Sequence, residues 1–200
     1  MHSSRLLIAS LLLVAGLTAH AQDASKDTSK EASNPRVQVE TSMGKFVIEL
    51  DPARAPLTVA NFLQYTREGF YSGVIFHRVI SNFIAQAGQY DEKYGEKKPR
   101  APIPNESGNG LSNRRGTVGL ARTADPHSGD AQFYINLQDN GLLDPQATRW
   151  GYTVFGRVVD GMNVVDDIGQ VATGEAGPIQ KDAPLKPVII IRIEELKSAP

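Results

Sequence analysis

The sequence predicts an all-β domain, a barrel of short strands accompanied by two short helices. Short apolar or alternating runs with strand character recur along the chain, and turn residues separate them. Only two segments carry apolar residues at helical spacing. Strands and helices do not alternate as they do around a parallel sheet, so a doubly wound fold is disfavoured. Many short strands with turn signals between them are typical of a closed barrel.

The first elements are a predicted hairpin and a helix. Apolar and polar residues alternate over residues 37–41 and again over residues 45–50, with a turn at residues 42–44. The helix is predicted from about Thr58 to Glu68. Pro56 and Thr58 suit a helix start, and Gly69 suits a stop. We expect the apolar stripe of this helix to cover an open end of the sheet.

Two strands at the centre of the chain carry unusual polar residues. Residues 74–80 and 83–87 are apolar runs joined through Ser81 and Asn82, and they contain Arg78 and Gln86 respectively. Charged residues are rarely buried unless they are paired. At this point two interpretations stay open: an arginine at the exposed edge of a half-buried sheet, or a functional arginine.

The remaining elements follow in order. Residues 89–113 form a long loop rich in proline and glycine, of a length that is usually functional or locally packed. A short helix is expected after Gly161, and Gly174, Gly177 and Pro178 indicate a further loop. Strands are predicted over residues 117–121, 132–137, 152–159 and 188–193.

Several motifs resemble those of the cyclophilins, the peptidyl-prolyl cis-trans isomerases, over residues 36–196. In order they are Phe76-His77-Arg78, Phe83-Ile84-Ala85-Gln86, Gly116-Thr117-Val118-Gly119-Leu120-Ala121-Arg122, Gln132-Phe133-Tyr134-Ile135 and Val154-Phe155-Gly156. The resemblance implies an eight-stranded antiparallel barrel capped by two short helices. It also implies an isomerase acting on X-Pro bonds.

The resemblance also implies a role for each site residue. Arg78 would be the catalytic arginine, and Gln86 would orient Arg78 and the substrate. Arg122 would contribute through its backbone, and Tyr152 would close the pocket on the side away from Arg78. His77, inside a strand, is expected to be a satisfied core residue without a catalytic role. The substrate-binding set would be Phe83, Ile84, Ala121, Arg122, Gln132, Tyr134, Leu143 and Tyr152.

Three positions depart from many eukaryotic relatives. Those proteins carry phenylalanine where Tyr134 stands, tryptophan near Leu142 and histidine where Tyr152 stands. The tryptophan grips the cyclic peptide cyclosporin, so the resemblance implies weak cyclosporin binding here. Trp150 falls outside the motif and is not a substitute. The pattern is similar to that of exported bacterial members of the family.

The residues and motifs that the sequence lacks exclude several classes of reaction. There is no cysteine, no G-x-S-x-G or H-E-x-x-H motif and no phosphate-binding G-x-x-x-x-G-K-S/T loop. We therefore expect no metal and no cofactor. The formal net charge of -1 predicts no nucleic-acid partner, and we expect the small Lys97-Lys98-Arg100 cluster to be a solvated face. Arginine, amides and apolar groups suit prolyl isomerisation, which needs neither a nucleophile nor proton transfer.

Two other functions stay open at this stage. A peptide-binding module or chaperone could use the same groove with little catalysis. An unrelated β-barrel ligand carrier would be favoured if Arg78 were buried away from any groove.

The first 35 residues are expected to lie outside the domain. An apolar run ends in Ala19-His20-Ala21, which predicts a signal peptide over residues 1–21 and export to the periplasm. Residues 22–35 lack large apolar side chains, so we expect a flexible linker before the domain at residues 36–197. The expected partners are proline-containing peptides and unfolded exported proteins, bound by a monomer that is free of the membrane after cleavage.

Overall fold

Eight of the ten strands within residues 34–197 close into an antiparallel barrel, and the other two form a separate two-stranded sheet. The computed structural model describes residues 34–197, so the predicted signal peptide and nearly all of the predicted linker lie outside the described residues. The elements are β1 (Arg36–Thr41), β2 (Gly44–Leu50), α1 (Pro56–Arg67), β3 (Val74–Ile80), β4 (Ile84–Asp91), β5 (Thr117–Leu120), β6 (Phe133–Asn136), a 3₁₀ turn (Gly141–Leu143), β7 (Val154–Asp160), α2 (Met162–Ile168), β8 (Thr173–Ala176), β9 (Ile179–Pro184) and β10 (Ile189–Leu196).

The barrel confirms the predicted fold class. Its strand order is β1-β10-β3-β4-β6-β5-β7-β2, and β2 pairs back with β1 to close the ring. Closure gives every barrel strand two neighbours, so no whole strand lies at an edge. Each strand predicted from the sequence is present, with ends displaced by a few residues.

One expectation about the order of elements was wrong. Gly174, Gly177 and Pro178 indicate a loop in the sequence, but β8 and β9 form a hairpin there, with its turn at Gly177. Neither strand joins the barrel. Strands of four and six residues with exposed polar side chains give a weak alternation signal, which glycine and proline obscured.

The barrel interior is filled by the alternate residues that the sequence pattern predicts. In β1 and β2 every second side chain is buried. Phe62 of α1 packs its ring 5.5 Å from Phe133 and 5.3 Å from Phe155, measured between ring centroids. The helix therefore covers part of the barrel core through an aromatic cluster. Within residues 34–197, neither helix is long and apolar enough to cross a membrane.

Helix α1 begins two residues earlier than predicted because its cap comes from elsewhere in the chain. Pro56 lies in the first turn, and the preceding residue makes no side-chain cap. The Glu106 carboxylate accepts hydrogen bonds from the backbone N–H groups of Leu57 and Thr58 at 3.0 and 2.8 Å. A carboxylate at this end of a helix also complements the helix dipole.

The long loop after β4 is locally packed. The Arg100 guanidinium lies 3.9 Å from the Tyr65 ring centroid and donates to Glu68, while the Lys97 ammonium donates to the Phe70 carbonyl. Two of the three cations in the basic cluster therefore hold the loop against α1 and the segment that follows it. This use differs from the solvated face expected from the sequence.

Candidate active site

A β-bulge in β3 places Arg78 on the outer surface of the barrel. Phe76 pairs with Ala87, yet Arg78 pairs with Gln86, so two residues of β3 advance where β4 advances one. Phe76 and Val79 both lie in the barrel core. Strict alternation would put Arg78 on the same face as Phe76. The bulge reverses the faces, and a bulge re-aims side chains in this way next to active sites.

Gln86 connects the arginine to a second glutamine. The Nη1 atom of Arg78 lies 3.4 Å from Oε1 of Gln86, and Nε2 of Gln86 donates to Oε1 of Gln132 at 3.0 Å. The second bond turns the Gln86 carbonyl toward the arginine. Because the amide oxygen then serves Arg78, the sequence-based role of Gln86 as an orienting residue has a matching geometry.

An apolar cavity opens next to this polar row. Its volume is about 270 Å³. Of the ten predicted site residues nine line it, and Gln132, the tenth, reaches it through Gln86. The lining residues are Arg78, Phe83, Ile84, Gln86, Ala121, Arg122, Tyr134, Leu143 and Tyr152.

The apolar lining is distinct from the barrel core. Ile84, Ala121 and Tyr134 form a buried cluster of their own, with Phe83, Leu143 and Tyr152 partly buried against it. These side chains therefore pack against one another at the cavity rather than within the main barrel core. A concave apolar site with few polar groups is the usual form of a small-ligand pocket.

Tyr134 forms the floor of the cavity because the neighbouring strand leaves room for its ring. Tyr134 pairs with Gly119 of β5. A Cβ added at Gly119 would overlap the Tyr134 ring and hydroxyl. A glycine inside a strand often marks such a close approach, so this position is a signal that sequence reasoning did not use.

The Tyr134 hydroxyl is bound by Asn113, which Asp144 and Ser112 support, and the sequence analysis did not single out any of the three. Tyr134 donates to Oδ1 of Asn113 at 2.6 Å, and Nδ2 of Asn113 donates to Asp144 at 2.8 Å. Ser112 donates to the same carboxylate at 2.5 Å. Burial raises the pKa of Asp144, but the hydrogen bonds from Ser112 and Asn113 outweigh it, so this pKa lies below its usual value.

Burial raises the pKa of Tyr134 well above its usual value, which keeps the hydroxyl protonated as a donor. A buried tyrosine needs such a partner. The sequence shows that a buried Tyr134 needs a hydrogen-bond partner, but it does not show that the partner is Asn113.

The Arg122 side chain is occupied within the protein. It donates to the Gly151, Thr123 and Trp150 carbonyls at 2.9–3.2 Å. Its guanidinium carbon lies 4.3 Å from the Tyr152 ring centroid. The side chain therefore braces Tyr152 at the cavity wall, and the backbone role implied by the resemblance stays a prediction.

His77 is buried as expected but is not satisfied. The side chain is 4% exposed, and its Nδ1 has no hydrogen-bond partner among the described residues. Burial and the charge of Arg78 lower the pKa of His77 to about 4. The ring is therefore neutral at pH 7, and His77 is not among the residues that line the cavity.

The arrangement combines a fixed cation with an apolar pocket. The Arg78 guanidinium is always charged and offers several donors in a rigid fork. Within residues 34–197, no group of three or more histidine or carboxylate side chains lies close enough together to hold a metal ion. A guanidinium beside an apolar pocket can bind an amide and stabilise a change in the electron distribution of that amide.

Comparison with known proteins gives the family. Residues 36–195 match the family "Cyclophilin type peptidyl-prolyl cis-trans isomerase/CLD". A peptidyl-prolyl cis-trans isomerase of Streptomyces antibioticus is 50% identical over 157 residues, covering 77% of this chain and 94% of its own. Peptidyl-prolyl cis-trans isomerase A of Dickeya dadantii is 42% identical over 187 residues, covering 94% of this chain and 95% of its own.

Solved structures agree on the fold. The cyclophilin-type isomerase of Cryptosporidium parvum superposes with a TM-score of 0.68 at 23% identity, covering 83% of this chain and 99% of its own. With the barrel and the match over most of the chain, these similarities show that the protein belongs to the cyclophilin-type peptidyl-prolyl cis-trans isomerases and catalyses rotation about X-Pro bonds.

Proposed function

We propose that this isomerase acts on incompletely folded exported proteins in the periplasm, as a monomer, with Arg78 as its catalytic residue. The observation that carries the assignment of the site is the convergence of Arg78, Gln86 and the apolar residues on one cavity. Gln132 supports Gln86, and the apolar side chains receive the proline ring.

The chemistry follows from the electronic structure of the amide. The X-Pro bond resists rotation because the nitrogen lone pair is delocalised into the carbonyl. At the twisted transition state the lone pair is localised on nitrogen. A guanidinium donating to that nitrogen stabilises the twisted state more than the planar one, which is the condition for catalysis. No bond is made or broken, so neither a nucleophile nor a base is required.

The pocket supplies what the arginine alone cannot. Uncatalysed isomerisation takes on the order of tens to hundreds of seconds. Turnover of ~1,000 per second would require ~7 kcal/mol of barrier reduction. One charge-assisted hydrogen bond contributes about 1.5–3 kcal/mol. The apolar cavity must provide the remainder by orienting the proline and excluding water.

Replacing the arginine tests this assignment. We expect Arg78→Ala to lower kcat/KM by ~10- to 1,000-fold, equivalent to ~1.5–4 kcal/mol. Arg78→Lys should restore activity only in part, because an ammonium lacks the planar fork. The control is Arg192→Ala, since Arg192 lies outside the cavity in an exposed ion pair with Glu40. Turnover would be followed on a proline tetrapeptide.

Binding measured on the same variants separates catalysis from simple peptide capture. An enzyme of the proposed kind loses turnover in Arg78→Ala while keeping much of its peptide affinity, because Phe83, Tyr134 and Leu143 remain. Near-normal turnover in Arg78→Ala would rule out the mechanism. Tight peptide binding with negligible turnover in the unmodified protein would instead favour a chaperone. The partial exposure of Arg78, 39% of its side chain, in an open cavity argues against a closed ligand carrier.

The proposed location in the periplasm is based on the sequence of the first residues. The apolar run before Ala19-His20-Ala21 is too short for a membrane span of ~20 residues and ends in small residues suited to cleavage. We expect the exported protein to begin at Gln22. N-terminal sequencing of periplasmic material would test this, and an intact Met1 on that material would contradict it.

A further inference from the structure

Arg78 has a charged neighbour that lies outside the family motifs and outside the cavity lining. Oδ2 of Asp182, in β9, is 4.0 Å from Nε of Arg78. On the opposite part of the guanidinium, Oε1 of Gln86 is 3.4 Å from Nη1. The fork is therefore approached by an amide oxygen from the barrel and by a carboxylate from the separate hairpin.

The fold brings this hairpin alongside the arginine. Strand β10 pairs with β3 only at Val74 and Ile75, so the second half of β3, which carries Arg78, has no barrel partner on that side. Strand β9 packs along β3. Ala183, next to Asp182, is fully buried and anchors this part of the strand.

The backbone of Asp182 is held in an uncommon conformation. Its φ is +66°, in the left-handed region, although it is neither a glycine nor a turn residue between the two strands. Aspartate and asparagine tolerate this region better than other side chains, but it remains costly. Local strain of this kind clusters at functional sites. Here it coincides with the residue whose carboxylate meets Arg78.

We propose that Asp182 is a positioning residue for Arg78. The inference rests on the proposed catalytic role of Arg78. A half-exposed arginine has many rotamers, and a single amide contact at 3.4 Å is too weak to select one. Attraction between the carboxylate and Nε restricts the side chain, and it leaves the Nη atoms directed toward the cavity. The carboxylate lies 27% exposed, which limits screening by solvent.

The test is Asp182→Asn, with Glu175→Gln as the matched control. Asparagine keeps the size of the side chain and tolerates positive φ, so the hairpin should remain folded. Glu175 is an exposed carboxylate in the same hairpin, and its removal changes the net charge equally. We expect Asp182→Asn to lower kcat/KM by about 3- to 10-fold, mainly through kcat, and Glu175→Gln to leave it unchanged.

A spectroscopic readout reports the position of the arginine without activity. The Nε–Hε resonance of Arg78 in ¹H–¹⁵N spectra should shift and lose order in Asp182→Asn, and it should be unaffected in Glu175→Gln. An unchanged resonance together with unchanged kcat would overturn the proposal. A rise in kcat would also overturn it, because it would mean that the carboxylate weakens the cation rather than placing it.

A double-mutant cycle distinguishes this inference from the proposed function. If Asp182 acts through Arg78, Asp182→Asn should have no further effect on turnover in an Arg78→Ala background. An equal loss in both backgrounds would show a general structural role and refute positioning. If Arg78→Ala alone leaves turnover intact, the catalytic role of Arg78 fails, whereas the resonance still decides whether Asp182 orders it.

Discussion

The polar network beneath the pocket gives a prediction whose magnitude follows from counting hydrogen bonds. Asn113→Ala removes the acceptor of the Tyr134 hydroxyl and one donor to Asp144. Asn136 keeps its bond to Thr117 Oγ1 at 2.9 Å. Asp144 keeps Ser112 and the backbone N–H of residue 113. The largest loss in the free energy of unfolding therefore comes from the buried Tyr134 hydroxyl, which is left without an acceptor.

Leaving a buried hydroxyl unpaired costs about 1–3 kcal/mol, and losing a bond to a carboxylate adds about 1 kcal/mol. We expect Asn113→Ala to lower the free energy of unfolding by about 2–4 kcal/mol. In a Tyr134→Phe background no hydroxyl remains to be stranded, so the same substitution should cost about 1–2 kcal/mol less. Tyr134→Phe alone should cost about 0.5–1.5 kcal/mol, because Asn113 still accepts from Asn136.

Urea denaturation of the four proteins in this cycle measures these values, with activity followed in parallel. Asn113→Ala should also lower kcat/KM, because the floor of the cavity loses its anchor. Tyr134→Phe should leave turnover nearly unchanged, since the ring alone faces the pocket. Additive costs for the two substitutions would refute the reasoning, since two residues joined by a buried hydrogen bond should show a coupling energy.

Two further predictions concern pH and inhibitor binding. Burial lowers the pKa of His77 to about 4, so between pH 6.5 and 4 the folded state binds fewer protons than the unfolded state. The contribution of His77 to the free energy of unfolding is therefore full above pH 6.5 and is lost as the pH falls through this window. His77 alone should lower the free energy of unfolding by about 2 kcal/mol between pH 7.5 and 5, and denaturation of His77→Leu should show a decrease that is smaller by this amount. The same pH dependence of the unfolding free energy in both proteins would contradict this prediction. Leu142 is 81% exposed beside the cavity and offers no donor, so cyclosporin should bind ~30- to 1,000-fold more weakly than to relatives with tryptophan there. Leu142→Trp should recover part of that affinity in an inhibition assay, and tight inhibition of the unmodified protein would show that the role assigned to Leu142 is wrong.

The barrel strands and the fold class could be predicted from the sequence, and the resemblance to the cyclophilins identified the residues of the cavity, but the β8–β9 hairpin was missed. Alternation in β1 and β2 depends on neighbouring residues alone, and the motifs around Arg78, Gln86 and Tyr134 are short and contiguous. The alternation can be recognised in the sequence because burial of one face of a strand places an apolar residue at every second position. The site residues were inferred from the resemblance of these motifs to the cyclophilins, and nine of the ten lie around one cavity.

How these residues are held depends on contacts that form only when the chain folds. The bulge that turns Arg78 outward is a mismatch between two strands, and neither strand records it alone. Glu106 caps a helix that begins 50 residues earlier in the chain, and Asp182 reaches Arg78 from a hairpin that resembled a loop. Each of these contacts joins residues far apart in sequence, and its energy depends on distances that the closed barrel sets. Short motifs therefore identify the candidate site residues, whereas long-range packing supplies their orientation and support.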